Sequence, residues 1–331
     1  MSALLTELRT AYRDVAAATE RFNAADEALR VQRADVDRLR RERDAARAEL
    51  SEQRAAAGRL AREQYRGGGA GLPSYLRLLL SRDPQEVFSR GHLLSLAAQE
   101  QARTVRRVAD GSRHLDRTAE RAEEALRRRE ELTRTRERSR QGVRERLDAV
   151  AKLLASLSDA QLAAVRELER RQAREAQRTL LSEVRLTGGE AGARTPSEAG
   201  AEAVRFAVAQ LGKPYRWGAE GPASFDCSGL TWRAWAAAGA EVPRTSQEQW
   251  RRLPRVELAE LRPGDLVVYF DDATHVALYV GGGRVVHAPR PGARVAVSPL
   301  AGPGDVRGAV RPDAGKRALP RHPPPALPPA S

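Results

Sequence analysis

One cysteine, Cys227, occurs in the 331 residues, within the run Asp226-Cys227-Ser228-Gly229-Leu230, which opens an apolar helical pattern reaching Ala238. A thiol in the first turn of a helix faces unpaired backbone N–H groups and the positive end of the peptide dipoles, and both favour its thiolate. Two histidines follow, His275 and His287, each beginning or ending a strand-like run. A thiol and an imidazole brought together by the fold can cleave an amide: the base ionises the sulfur and later protonates the leaving amine. Strand alternation places Val285 and His287 on one face and Val286 on the other. The bland alternative is a buried, inert cysteine and two structural histidines. Neither histidine has a cysteine or carboxylate at ligand spacing, so no metal site is expected. Gly281-Gly282-Gly283 turns between two strand runs and does not open a helix, so it does not read as a phosphate loop. No cofactor is expected.

The elements that must position these groups fall into two parts. Residues 1 to about 66 carry a seven-residue repeat. Leu8, Val15, Phe22, Leu29 and Val36 recur at one position, and Leu4, Ala11, Ala18, Ala25 and Leu39 at its complement. Such a seam predicts a coiled coil. Gly67-Gly68-Gly69-Ala70-Gly71 interrupts it, and a Leu-rich stretch suggests a small helical tip at about 67–98. A second long helix is expected from about 85 to 186. Its seam is polar at Arg129, Thr133, Arg136 and Arg140, a candidate hinge. Two long helices joined by a compact turn predict an antiparallel hairpin over 1–186. A Gly-rich linker follows at 187–197 and a compact domain at 198–311. That domain reads as a helix at Glu198 to Leu211, then strands at Asp265 to Phe270, His275 to Val280, Arg284 to Ala288 and Arg294 to Val297. Helices first and antiparallel strands afterwards indicate an α+β domain. Residues 312–331 are Pro-rich and read as a disordered tail.

The net charge of +13 is unevenly placed: residues 196–310 hold 13 basic and 12 acidic side chains, and the first 195 residues carry +9. Acidic residues interleave with the arginines and no aromatic platforms accompany them. The pattern therefore reads as a solvated helix face and not as a nucleic-acid surface. Attraction to a polyanionic envelope is the sharper alternative. No apolar run approaches a membrane span, and no basic-then-apolar leader follows Met1.

Six stretches, in order between residues 214 and 288, resemble the NlpC-type cell-wall peptidases, which are papain-like. They are Pro214-Tyr215-Arg216-Trp217-Gly218, Asp226 to Leu230, Pro243-Arg244-Thr245-Ser246, Leu261 to Leu266, His275-Val276-Ala277-Leu278-Tyr279 and Val286-His287-Ala288. The helical half resembles secreted actinobacterial members with a coiled-coil hairpin ahead of the catalytic domain. The resemblance implies a long antiparallel α-helical coiled-coil hairpin followed by an α+β papain-like domain with an antiparallel sheet. It implies Cys227 as nucleophile, His275 as base and His287 as the residue that orients it. Tyr215 matches the tyrosine that assists the oxyanion, with a packed core tyrosine as its alternative. Asp226, Ser228 and Arg244 match substrate-contacting positions, although Asp226 is also placed to cap a helix and Arg244 could be a surface charge.

The expected activity is that of a secreted, cell-wall-associated thiol protease, a peptidoglycan hydrolase of bacterial cell-wall turnover. It would cut stem peptides between D-isoglutamate and the diamino acid. Relatives with such hairpins suggest control by the coiled coil, either folded over the site or docked on a division-site membrane complex. Two rivals belong to other classes: an envelope scaffold whose papain-like domain only binds wall peptides, and an amidase or acyltransferase using the same Cys-His pair.

Overall fold

A computed structural model of the chain describes residues 1–67, 84–183, 194–323 and 326–328. Residues 68–83 of the expected helical tip, and residues 187–193 of the expected linker, lie outside the described residues. The chain divides into two compact units, Leu29–Thr133 and a larger one made of Met1–Ala28 with Arg134–Ser331. No helix among the described residues is long and apolar enough to cross a membrane.

Among the described residues, the smaller unit consists of the C-terminal part of one long helix, α1 (Ser2–Gly67), and the N-terminal part of another, α2 (Pro84–Ala155). Val36 and Leu39 of α1 bury against Ala122 and Ala125 of α2, and the Gln32 side-chain amide donates to the Ala125 carbonyl at 3.1 Å. Further along α1, Leu50 reaches Gly111, so rising numbers on one helix meet falling numbers on the other and the pair is antiparallel. Alanines of α2 fill this part of the seam.

In the larger unit the second long helix is not continuous to 186. It stops at Ala155 and restarts as α3 (Asp159–Glu183). Ser158 and Gln161 cap the restart reciprocally: Ser158 N–H donates to Gln161 Oε1 at 2.9 Å and Gln161 N–H to Ser158 Oγ at 3.3 Å. The polar seam at Arg129 to Arg140 stays helical. Arg136 there pairs with Asp26 and lies 5.1 Å over the Phe22 ring, so a charge on the seam is used and does not break it. Leu5 and Leu8 bury against Val165 of α3, and Ala18 and Phe22 against Val143 of α2.

The C-terminal part contributes α4 (Glu198–Val208), α5 (Cys227–Ala237) and α6 (Ser246–Arg252). Its sheet is formed by β1 (Arg255–Val256), β2 (Leu266–Tyr269), β3 (His275–Gly281), β4 (Arg284–His287), β5 (Ala296–Pro299) and β6 (Val306–Val310). The strands lie in the order β1-β6-β2-β3-β4-β5, every pairing antiparallel. Period-2 alternation sorts the core into two layers. Leu266, Val268, Val276, Leu278, Val280 and Val286 face α4 and α5, where Val204, Leu230, Ala234 and Trp235 meet them. Val267, Tyr269, Ala277, Tyr279 and Val285 form the other layer, which Leu180 of α3 joins. β1 and β6 were not expected from the sequence. Gly308 interrupts β6, and the β2–β6 register shifts beside it, which hides the strand signal.

The stretch expected to be a disordered tail is pinned at its start. Asp313 is buried, pairs with Arg262 at 2.8 Å and accepts from the Ser197 hydroxyl, and Leu319 N–H donates to the Pro196 carbonyl at 2.8 Å. Proline content gave the expectation of disorder, and a buried ion pair overrides it between 313 and 319.

Candidate active site

Helix α5 begins at Cys227 because Asp226 caps it. Asp226 has extended backbone, and its carboxylate accepts from Gly229 N–H at 2.6 Å. A Cβ at Gly229 would strike the Ala219 carbonyl oxygen, so only glycine lets the first turn of α5 lie this close to the preceding loop. Cys227 is thereby buried, and the amide N–H groups of Ser228 and of Val276, the residue after His275, are directed at its sulfur.

His275 opens β3 and His287 closes the adjacent β4, so the antiparallel pairing brings the two rings together. His275 Nε2 lies 2.9 Å from His287 Nδ1, and His287 Nε2 lies 2.8 Å from Ser298 Oγ on β5. The chain of contacts admits two proton assignments, and the one that suits a base at His275 has His275 donating from Nε2 to His287 and His287 donating from Nε2 to Ser298. That leaves His275 Nδ1 as the ring nitrogen able to accept a proton from a thiol.

The other expected residues gather at the same place. Arg244 is buried; it donates from Nη1 to Asp226 at 3.1 Å and to Ser228 Oγ at 2.9 Å, from Nη2 to Asp226 at 2.8 Å, and from Nε to Glu220 at 2.7 Å. Burial works against its charge, but Asp226 and the neighbouring Glu20 and Glu220 raise its pKa. Asp226 therefore both caps the helix and anchors the guanidinium, and Arg244 is not a surface charge. Burial pushes the Tyr215 hydroxyl pKa well above its ordinary value, and Cys227 and Asp226 add to the shift.

The ionisation states differ from the sequence-based expectation. Burial, followed by the negative charges of Glu20 and Asp226, pushes the Cys227 thiol well above its ordinary pKa, and the two amide N–H groups only partly offset this. Burial brings His275 down to about 4. Burial, then His275 and Arg290, drives His287 well below the usual histidine range. A thiol and a neutral imidazole, not a thiolate and an imidazolium, occupy the site as it stands.

The cause is a residue that the sequence reading missed. Glu20 of α1 is buried in the cleft, where its carboxyl oxygens accept from Ser228 Oγ at 2.8 Å and from Ser246 N–H at 2.9 Å. Cys227 Sγ is 3.7 Å from Glu20 Oε1. Asn23, one turn along, donates to Asp226 Oδ2 at 3.0 Å, and Phe22 packs edge-on against Trp217 with ring centroids 4.9 Å apart. The heptad held a signal for this contact. Glu20 sits on the outer face of α1, where Ala16, Ala17, Asn23 and Ala24 surround it in place of the long charged side chains found elsewhere along that face. Small outward residues mark a helix face that something else covers. Ser298 and Ser246 were also missed, since a lone serine carries no pattern.

Chemically, the arrangement groups a thiol, a histidine whose ring is tied to two further side chains, and hydrogen-bonding groups that suit a polar ligand. A thiol with a neutral imidazole is the combination that acyl transfer at an amide needs. Among the described residues no cluster of His, Cys, Asp and Glu is arranged to hold a metal ion.

Comparison with known proteins agrees on the family. The family model described as NlpC/P60 family matches residues 212–307. A probable endopeptidase of Corynebacterium glutamicum (strain R) is 44% identical over 99 residues, which are 30% of this chain and 47% of that protein. A probable endopeptidase of Mycobacterium tuberculosis is 39% identical over 108 residues, 33% of this chain and 28% of that protein. The matches to these curated relatives thus span less than half of their length. The crystal structure of the P60 domain from an antigen of M. avium subspecies paratuberculosis is 31% identical, covering 34% of this chain and 93% of that one, with a TM-score of 0.32. The C-terminal part of the chain, residues 212–307, thus carries an NlpC/P60 domain.

Proposed function

We propose that the chain is a cysteine-type peptidase acting on peptidoglycan stem peptides and that its helical hairpin regulates it. The single observation that carries this reading is the grouping of a lone cysteine in the first turn of α5, beside the start of β3, with the His275–His287–Ser298 chain of contacts. In the reaction, His275 Nδ1 takes the proton of Cys227, and the sulfur attacks the carbonyl of the D-isoglutamyl residue. The Cys227 N–H and the Tyr215 hydroxyl stabilise the oxyanion. The C–N bond breaks as His275 returns its proton to the leaving amine of the diamino acid. Water, deprotonated by His275, then hydrolyses the thioester to a carboxylic acid and restores the thiol. Asp226, Ser228 and Arg244 contact the substrate.

Regulation is supported by what α1 covers. Glu20 and Asn23 take the hydrogen bonds of Ser228 and Asp226 that a substrate needs, and the carboxyl lies against the sulfur. A stem peptide and α1 cannot occupy the cleft together.

The test is release of soluble peptide from purified cell walls, with mass spectrometry of the cut ends. The reading predicts release by the wild-type chain, new termini at isoglutamate and the diamino acid, and none from Cys227→Ala. Full release by that variant contradicts the assignment, and ends at another bond indicate an amidase or acyltransferase.

A further inference from the structure

We propose that Glu20 is a proton-operated latch: α1 closes the cleft with Glu20 as the neutral acid and withdraws when Glu20 becomes a carboxylate. The proposal deepens the regulatory reading above and rests on it. The geometry argues it through charge and hydrogen bonding. The closed cleft holds the carboxyl groups of Glu20, Asp226 and Glu220 beside one guanidinium, that of Arg244. Arg244 is already committed: Nε to Glu220, Nη1 to Asp226 and Ser228, Nη2 to Asp226. Glu20 receives only a hydroxyl, a backbone N–H and the thiol, none of them cationic. An ionised Glu20 is thus an uncompensated charge in a site from which α1 and α5 exclude water. A neutral acid retains lone pairs on both oxygens, so the bonds from Ser228 and Ser246 survive protonation.

The groups facing Glu20 come from every element packed on it. They are Asp226 and Cys227 of α5, Arg244 ahead of α6, Tyr215 of the preceding loop, and on α1 itself Thr19 and Asn23, which do not titrate. Burial first, then Asp226, raises the seated Glu20 from 4.5 to about 7, against opposing effects of Arg244, Ser228 and Ser246. A raised value in the closed state means that closure takes up a proton. Closure is therefore fully supported below about 4.5, and that support is lost as pH rises through about 7. The linkage permits a shift of the closed-to-open ratio of up to about 300-fold between those limits. Asp226 has bonds from Gly229 N–H and Arg244 that do not involve α1, whereas Glu20 meets the cleft only while α1 is seated.

Cys227 is the only cysteine in the chain, so alkylation of the whole protein reports on this cleft alone. The experiment measures iodoacetamide alkylation of the full chain, wild type and Glu20→Gln, from pH 5 to pH 8.5. Glutamine copies the neutral acid and cannot ionise, so the ratio of wild-type to variant rates reads what ionisation of Glu20 does to the cleft; a carboxylate that stayed seated would hold the thiol protonated and lower the ratio. The proposal predicts a ratio near 1 at pH 5 that climbs tens- to a few hundredfold by pH 8.5. A ratio that stays flat overturns it. If Glu20→Gln does not fold, hydrogen exchange of wild-type amides at 15–25 decides. Corrected for intrinsic rates, their protection must fall between pH 6 and pH 8 while that of β3 holds, and unchanged protection overturns the latch. Neither readout needs catalysis. A stepped ratio without peptide release keeps the latch and removes the peptidase, and release with a flat ratio removes the latch alone.

Discussion

Two helices, α1 and α3, touch the C-terminal domain within the larger unit, and they touch different kinds of residue. α3 meets groups that hold the sheet together. Glu169 pairs with Arg290 through two bonds of 2.8 and 3.0 Å, Gln177 bridges the Gly283 carbonyl at 3.1 Å and Ala301 N–H at 2.8 Å, and Leu180 joins the outer core. Those contacts match charge with opposite charge and donor with acceptor, so nothing in them favours release. α1 meets the cleft. It places a third carboxyl beside two others, and its other contacts with the domain include an amide, an aromatic edge and two guanidinium–ring contacts, Arg13 over Phe270 and Arg290 over Tyr12. The contrast sets a charge-balanced attachment beside one with unbalanced charge, and the second is the contact we propose to be reversible.

The predictions follow from that difference. Cys227→Ala removes the nucleophile and lowers peptide release by about a thousandfold or more, whichever way α1 sits. Loosening α1 acts next: Glu20→Ala with Asn23→Ala deletes two buried contacts, and release by the full chain at neutral pH is expected to rise about ten- to a hundredfold. A double variant no faster than wild type would falsify the reading of α1 as a cover. Glu169→Ala cuts the fixed contact. Its ion pair is partly exposed, so denaturant titration is expected to show a loss of about 1 kcal/mol, with alkylation of Cys227 changed by less than about twofold. Faster alkylation in Glu169→Ala would show that both helices act as covers, which erases the distinction. The smallest effect concerns Ser298, which only steadies His287. Ser298→Ala is expected to lower kcat by about tenfold with little change in KM.

Much of this was legible in the sequence for physical reasons that can be named. Cys227 could be placed at a helix start because Asp226 caps and Gly229 permits close packing, both written in consecutive residues. His275 and His287 could be paired because β3 and β4 form a hairpin about Gly281 to Gly283, so their register follows from the turn. The antiparallel helix pair followed from the heptads, which are local. Glu20 was not legible as a ligand of the cleft. It lies more than 200 residues from Cys227, and a single glutamate in an arginine- and glutamate-rich helix looks like any solvated charge. The thiol's ionisation was misjudged for the same reason: the helix start favours thiolate locally, but burial and two carboxyl groups outweigh it. The break at Ser156 to Ser158 and the pinned Asp313 depend on single capping or ion-pair contacts that no periodicity announces.

The most direct test is the alkylation rate of Cys227 in the full chain at pH 7, compared among wild type, Glu20→Ala and Glu20→Ala with His275→Ala. The account predicts slow reaction in wild type, at least tenfold faster reaction when Glu20 is removed, and slowing again when His275 is also lost. Equal rates in all three contradict it, because the sulfur would then be neither covered by α1 nor activated by an imidazole.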